Sequence, residues 1–209
     1  MNNAYDPACR KCPRLARFLE NLKAQQPGYF CKPVPPFGDP RASLLIVGLA
    51  PGMHGANRTG RPFTGDHAGI LLYSTLHRFG FATAACSIGT DDGLELRGVR
   101  ITNAVKCLPP QNKPQPAEVR TCNAFLRAEL AEEHRPRVVL ALGVIAHAAV
   151  LRACDLKAGA HRFAHGALHR LGDRVLLDSY HCSRYNTQTR RLTPEMFETV
   201  VATAARLAA

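Results

Sequence analysis

Residues 44–52 read Leu44-Leu45-Ile46-Val47-Gly48-Leu49-Ala50-Pro51-Gly52, and this stretch sets the fold. Four aliphatic side chains in a row, with no polar alternation, describe a strand covered on both faces. A glycine-rich loop follows from Ala50 to Gly65, and a helix is predicted from Ala68 to Phe79. The same order recurs downstream. Val99 to Val105 is a second apolar strand, ending near Asn103, and a helix from Ala117 to Glu133 sets Val119, Cys122, Phe125, Leu126 and Leu130 on one stripe. Val138 to Leu142 predicts a third strand, with a helix over Ile145 to Leu151 after Gly143. Val175 to Asp178 predicts a fourth, and a last helix opens at Thr193 with Pro194 at its first position and Glu195 and Glu198 in its first turns. Strands alternating with helices imply an α/β fold on a parallel sheet.

The flanks are less regular. The first 40 residues hold two close cysteines, a helix predicted from Pro13 to Gln25 through Leu15, Phe18, Leu19 and Leu22, and the stretch Pro33-Val34-Pro35-Pro36. Lys157 to Leu171 is rich in His and Gly and reads as a hairpin or loop. At 209 residues the chain is expected to form a single domain.

Composition narrows the function. Lys and Arg number 27 against 16 Asp and Glu, a formal charge of +11, which favours a polyanionic partner. The longest clean apolar stretch, Leu44 to Ala50, is broken by Gly48, far short of the roughly 20 residues a membrane span needs. The first residues show no basic segment followed by an apolar one, so no secretory signal is read and a cytoplasmic, nucleoid-associated location is expected. In such a reducing setting the eight cysteines are more often ligands or packing residues than disulfides.

In open parallel sheets the site lies beyond the carboxyl ends of the strands. Two of the loops there are rich in chemistry. Gly48 to Asp66 lets backbone approach a ligand, yet it has neither a phosphate-loop Gly-Lys-Ser/Thr nor the dinucleotide glycine spacing. Phe63 suits stacking on a flat ligand or, equally, plugging the core. Asp66 is a reactive carboxylate or a plain helix cap. The second loop, His181 to Leu192, carries three arginines, hydroxyls, amides and Tyr185, a set that suits phosphate contacts or a merely solvated basic run.

These two loops, with Ile101-Thr102-Asn103-Ala104-Val105-Lys106-Cys107 between them, resemble the signature segments of the family 5, or B-type, uracil-DNA glycosylases. The likeness runs from Cys9 to the last helix, with one departure: Cys182 stands where the family pattern has proline. The resemblance implies a three-layer α/β sandwich around a central, mostly parallel four-stranded sheet. It also implies a monofunctional base-excision repair hydrolase. Its substrate is single- or double-stranded DNA containing uracil and other deaminated bases (hypoxanthine, xanthine), and it acts as a monomer.

By the same resemblance Asp66 orients or activates the water and His181 donates to the departing base. Asn103 bonds the base edge, Phe63 stacks on its face, and Gly48, Ala50, Pro51 and Gly52 line the pocket. Ser183, Arg184 and Tyr185 contact phosphates or fill the gap in the duplex. An A-type relative has glutamate where this chain has Ala50. The family pattern pairs Cys9 and Cys12 with Cys107 and Cys122 as ligands of a [4Fe–4S] cluster that ties residues 1–40 to the domain. The donor set alone suits four-thiolate zinc as well. Cys86 and Cys154 read as packing residues, and Cys31 and Cys182 lack paired spacing. His67, His77, His134 and His147 read as surface or packing groups. His161, His165 and His169 repeat every four residues without the glutamate of a metalloprotease pattern, and are not read as a metal site. A non-catalytic iron–sulfur nucleic-acid-binding protein on the same fold is the competing reading, and Asp66 is the residue it does not need.

Overall fold

The structure, a computed structural model, describes residues 5–131 and 136–209. The sheet has six strands: β1 (Phe37–Gly38), β2 (Leu44–Gly48), β3 (Val99–Asn103), β4 (Val138–Leu142), β5 (Leu168–Leu171) and β6 (Arg174–Ser179). Their order across the sheet is β1-β3-β2-β4-β6-β5. The four predicted strands are present, mutually parallel, at its centre. The two additional strands are antiparallel edges, β1 on β3 and β5 on β6. Both are short, and β5 alternates exposed Leu168 and Arg170 with more buried His169 and Leu171, the pattern of a solvated edge rather than a covered centre. Gly172, at φ +69°, and Asp173 close the β5–β6 hairpin.

Pleating divides the buried run of β2. Leu44 and Ile46 face one layer with α3 (His67–Arg78) and α7 (Pro194–Ala208), through Leu72, Leu76, Phe197 and Val201. Leu45 and Val47 face α4 (Pro116–Ala131) and α5 (Val144–Ala153), through Leu126, Leu130, Ala146 and Val150. The result is three layers around one sheet. The helix predicted to reach Glu133 is described as far as Ala131; Glu132, Glu133 and His134 lie outside the described residues. The second strand ends at Asn103, where its end was expected. There the backbone leaves the ladder, and the Ala104 and Val105 N–H groups donate to the carbonyls of Gly48 and Leu49.

The amino-terminal segment packs on the domain through α1 (Pro13–Gln25), whose span matches the prediction. Leu15 meets Val105 and Phe125, while Leu19 and Leu22 meet Leu108. Arg14 donates twice to the Glu118 carboxylate, at 2.7 and 2.6 Å. No helix among the described residues is long and apolar enough to cross a membrane.

Candidate active site

All four parallel strands point their carboxyl ends at one cavity of about 930 Å³. Register brings the first two motifs together, because Gly48 ends β2 directly opposite Asn103 at the end of β3. A Cβ at Gly48 would stand 2.4 Å from Asn103 Oδ1 and 2.6 Å from Cζ of Phe63. Glycine is therefore required there by close approach. Asn103 is buried, and its Oδ1 has no hydrogen-bond partner among the described residues. Ala50 and Gly52 line the cavity beside it. Gly48 sits behind these two and Pro51 is buried, so neither of them forms the wall itself.

Phe63 lies at φ +56°, a backbone region that side chains other than glycine rarely occupy. The surrounding loop fixes it there. Tyr73, fully buried, donates its hydroxyl to the Pro62 carbonyl at 2.7 Å. Arg61 donates to Asp92 at 2.6 Å and to the Thr90 carbonyl at 2.7 Å, and lies over the Phe37 ring. The Phe63 ring is at once a core residue and a wall of the cavity, so the two sequence readings of it are both realised.

Asp66 likewise does both jobs. Its Oδ1 caps α3, accepting from the Gly69 N–H at 2.9 Å, and it also lines the cavity. The glycines of the loop make room for it: a Cβ at Gly55 would sit 2.4 Å from Asp66 Oδ2. Burial pushes the carboxyl up, opposed by the amides of Gly69 and Ala68 and by His67.

His181 enters from the second loop, its ring stacked on Phe63 at 5.9 Å between centroids. Burial lowers its pKa to about 4, so the ring is neutral at neutral pH. Its Nδ1 is buried with no hydrogen-bond partner among the described residues. Asn186 donates to the His181 carbonyl at 2.8 Å and Cys182 is wholly buried, which anchors this loop by packing at the family's proline position. The loop also contains a helix that the sequence did not suggest, α6 (Arg184–Gln188), capped by Ser183 through the Asn186 N–H. Ser183 and Arg184 line the cavity; Tyr185 does not, and is 69% exposed. His67, read as a surface or packing group, joins the two motifs through a 3.0 Å contact between its Nε2 and Thr187 Oγ1.

Sequence reasoning missed two parts of the wall. Gly143, Val144 and Ile145, after β4, line the cavity, with Val144 60% exposed. The glycine after the strand was their only signal. Cys86, read as a packing residue, is instead exposed and at the cavity.

A second cluster lies beside the sheet. Cys9, Cys12, Cys107 and Cys122 surround one small cavity with Leu15, Val105 and Phe125. Burial, and the neighbouring thiols, push Cys12 up to about 11 and Cys107 up to about 12. The Lys106 N–H donates to Cys122 Sγ at 3.2 Å. Among the described residues, the three-ligand group whose donor atoms all lie within 4.8 Å of one another is a different one, His147, His169 and Asp178, so no three of the four sulfurs are mutually that close. Cys31 belongs to the adjoining apolar cluster and accepts from Asn57 Nδ2 at 3.6 Å, and Cys154 packs against the core as expected.

Residues 35–205 match the model of the uracil DNA glycosylase superfamily. The chain is 50% identical to a type-5 uracil-DNA glycosylase of Thermus thermophilus, over 96% of this chain and 94% of that one. It is 43% identical to a type-5 uracil-DNA glycosylase of Pyrobaculum aerophilum, over 94% and 88%. A type-4 uracil-DNA glycosylase of Archaeoglobus fulgidus is 35% identical over 72% of this chain and 62% of its own length. With the site assembled at the strand ends where the family motifs were read, the chain belongs to the uracil-DNA glycosylase superfamily, alongside its type-5 members.

Proposed function

We infer that the protein hydrolyses the N-glycosidic bond of uracil in DNA, releasing the base and leaving an abasic site, as a step of base-excision repair. The observation that carries this reading is the orphaned, buried Oδ1 of Asn103 beside the fixed ring of Phe63. A buried acceptor without a partner is costly unless a ligand supplies the donor. The N3–H of uracil, flanked by two carbonyls, supplies one, and the Asn103 amide NH₂ meets the adjacent carbonyl. The base reaches this point only by leaving the helical stack, and Phe63 then replaces the lost stacking.

Cleavage breaks the bond between the sugar C1′ and the base nitrogen, and its electron pair leaves with uracil. The water oxygen bonds C1′ and gives up one proton to the Asp66 carboxylate, which passes it to solvent, where the released uracil anion is protonated. Asp66 holds that water and favours the cationic sugar; its cap bond fixes the carboxylate without consuming both oxygens. His181 donates to the uracil carbonyl where the negative charge gathers. A neutral imidazole suits this role, since it stabilises the anion without handing over its proton. Arg184, exposed at the rim, and the +11 balance supply phosphate contacts. Small Ala50 at the wall and the cavity's size support acceptance of hypoxanthine and xanthine besides uracil, in single- or double-stranded DNA. Every group invoked comes from one chain, so a monomer suffices, acting on the nucleoid in the cytoplasm.

The four cysteines are assigned to a [4Fe–4S] cluster. Tetrahedral zinc requires all four sulfurs about 3.8 Å apart, whereas no three of these, around their shared cavity, lie within 4.8 Å of one another. Crowded thiols with raised pKa values also suit a cationic centre that displaces their protons. When bound, such a group clamps the segment before α1 to the loop after β3 and to α4. The chain's own contribution is the apolar shell of Leu15, Val105 and Phe125 and the Lys106 N–H bond to Cys122.

Asp66→Asn tests the reading. Asn caps a helix about as well as Asp, so thermal stability should hold while single-turnover uracil release falls by about 10²–10⁴-fold. Unchanged release would remove Asp66 from the chemistry and leave a binding module.

A further inference from the structure

The proposed chemistry leaves unused a group of histidines that converge on one buried carboxylate. Asp178, near the carboxyl end of β6, is fully buried. His147, from α5 and 3% exposed, places Nδ1 2.8 Å from Asp178 Oδ1. His169, from the edge strand β5, places Nε2 3.0 Å from Asp178 Oδ2. One donor atom from each of the three lies within 4.8 Å of the others. The other nitrogen of His147, Nε2, lies 3.0 Å from the His161 carbonyl. A carbonyl only accepts, so Nε2 carries a hydrogen and donates it. In a neutral ring this leaves Nδ1 as a bare lone pair, aimed at a carboxylate oxygen at hydrogen-bond distance. Either a proton shared between ring and carboxyl or a metal ion has to lie between them.

We propose that His147, His169 and Asp178 bind one divalent transition-metal ion of the zinc class. Two imidazoles and a carboxylate are a recurrent zinc donor set, with the fourth position left to water. Metal–ligand bonds of about 2.0–2.1 Å set tetrahedral neighbours about 3.3 Å apart. The 2.8 and 3.0 Å contacts run to the two different oxygens of Asp178, so a small rotation of the carboxyl, with shifts of a few tenths of an ångström, sets one oxygen and both nitrogens around one ion. The His161 carbonyl fixes the outer N–H of His147, as the outer partners of metal-bound histidines do. Phe163, edge-on to His147 at 5.7 Å, and the His161 ring, 5.3 Å from His169, pack around the group and hold its rings in place. The nitrogen and oxygen donors also separate this site chemically from the four sulfurs, which select softer partners. The four-residue repeat of His161, His165 and His169 is not the ligand set; the sheet selects His169 and adds His147 from a different element.

The experiment is zinc titration of the purified holoprotein by calorimetry, joined to X-ray absorption at the zinc edge, which is blind to iron. The wild-type protein should take up one zinc, with nitrogen and oxygen neighbours only, at about 2.0–2.1 Å. His169→Ala should weaken zinc binding at least tenfold and leave uracil release unchanged. Sulfur neighbours at about 2.3 Å, equal affinity in His169→Ala, or no uptake at millimolar zinc would each overturn the proposal. The last outcome would leave the group as a proton-bridged histidine–carboxyl cluster. If His169→Ala does not fold, the absorption spectrum of the wild-type protein decides alone.

Discussion

Replacing Gly48 by Ala adds one methyl group at the point where the first two motifs touch. That carbon would stand 2.4 Å from Asn103 Oδ1, 2.6 Å from Phe63 Cζ and 2.9 Å from Phe63 Cε2. Ordinary contact begins near 3.4 Å, so Asn103 has to retreat by about 1.0 Å and the Phe63 ring by about 0.8 Å. Neither has an easy exit. Asn103 is buried at a strand end, and Phe63 is held by the loop that fixes Pro62 and Arg61. Overpacking of this kind costs about 1–3 kcal/mol, and at this chain length each kcal/mol lowers Tm by about 2–4 °C. The rate is hit harder, since misplacing a reacting group by about 1 Å costs on the order of 10²-fold. Single-turnover release from a uracil-containing oligonucleotide and a thermal melt on the same preparation measure both. Gly48→Ala with wild-type release would refute the assignment of Asn103 and Phe63 to the base, whatever the melt shows.

The remaining expectations concern charge and ligands. Burial raises the Asp66 carboxyl and lowers His181 to about 4, so release should climb with pH as Asp66 ionises, above the ordinary carboxylate range, with no separate step from His181; a step near the ordinary histidine pKa of about 6.5, lost in His181→Ala, would mean that His181 titrates in solvent. The linked stability effect has the same direction, because the unfolded chain binds the His181 proton more readily and the fold loses stability as pH falls from about 6.5 toward about 4. Arg61→Ala removes the counter-charge that holds Asp92 below the usual carboxylate range but leaves its amide donors from Ile88, Gly89 and Leu94; a loss of about 1–3 kcal/mol is expected in chemical denaturation. Cys107→Ser should lose the iron, about four per chain, together with thermal stability, and native preparations with stoichiometric zinc on sulfur would contradict the cluster. Arg184→Ala should weaken binding to damaged and undamaged duplex alike and flatten the salt dependence by about 0.9 log units per log unit of salt, read by fluorescence anisotropy.

Much of this architecture is legible in the chain because its physics is local. The run Leu44–Val47 could only be a doubly covered strand, and Thr193-Pro194 could hardly be anything but a helix start. What escaped was set by contacts distant in sequence. β1 spans two residues and exists because β3 offers it a ladder. α6 lies in a stretch of Arg, Tyr, Asn, Thr and Gln with no apolar stripe, and it depends on the Ser183 cap and the His67–Thr187 contact. Within the site, the glycine loop announced Phe63 and Asp66, and the strand end announced Asn103. The either–or readings of Phe63 and Asp66 dissolved, because each residue is structural and site-facing together. Val144 and Ile145 looked like ordinary helix starters, and only the sheet's geometry turns them toward the cavity.

The left-handed backbone of Phe63 bears on how tightly the pocket keeps its product. A phenylalanine held there stores strain, on the order of 1–3 kcal/mol, which the fold meets before any DNA arrives. The ring then has no freedom left to lose when a base settles against it, so ordering costs little at the moment of encounter. The same economy holds for free uracil, which meets a wall already in place. A cavity that waits in its final shape grips the leaving base as well as the entering one, and turnover then depends on how fast the base diffuses out rather than on any closing movement of the loop.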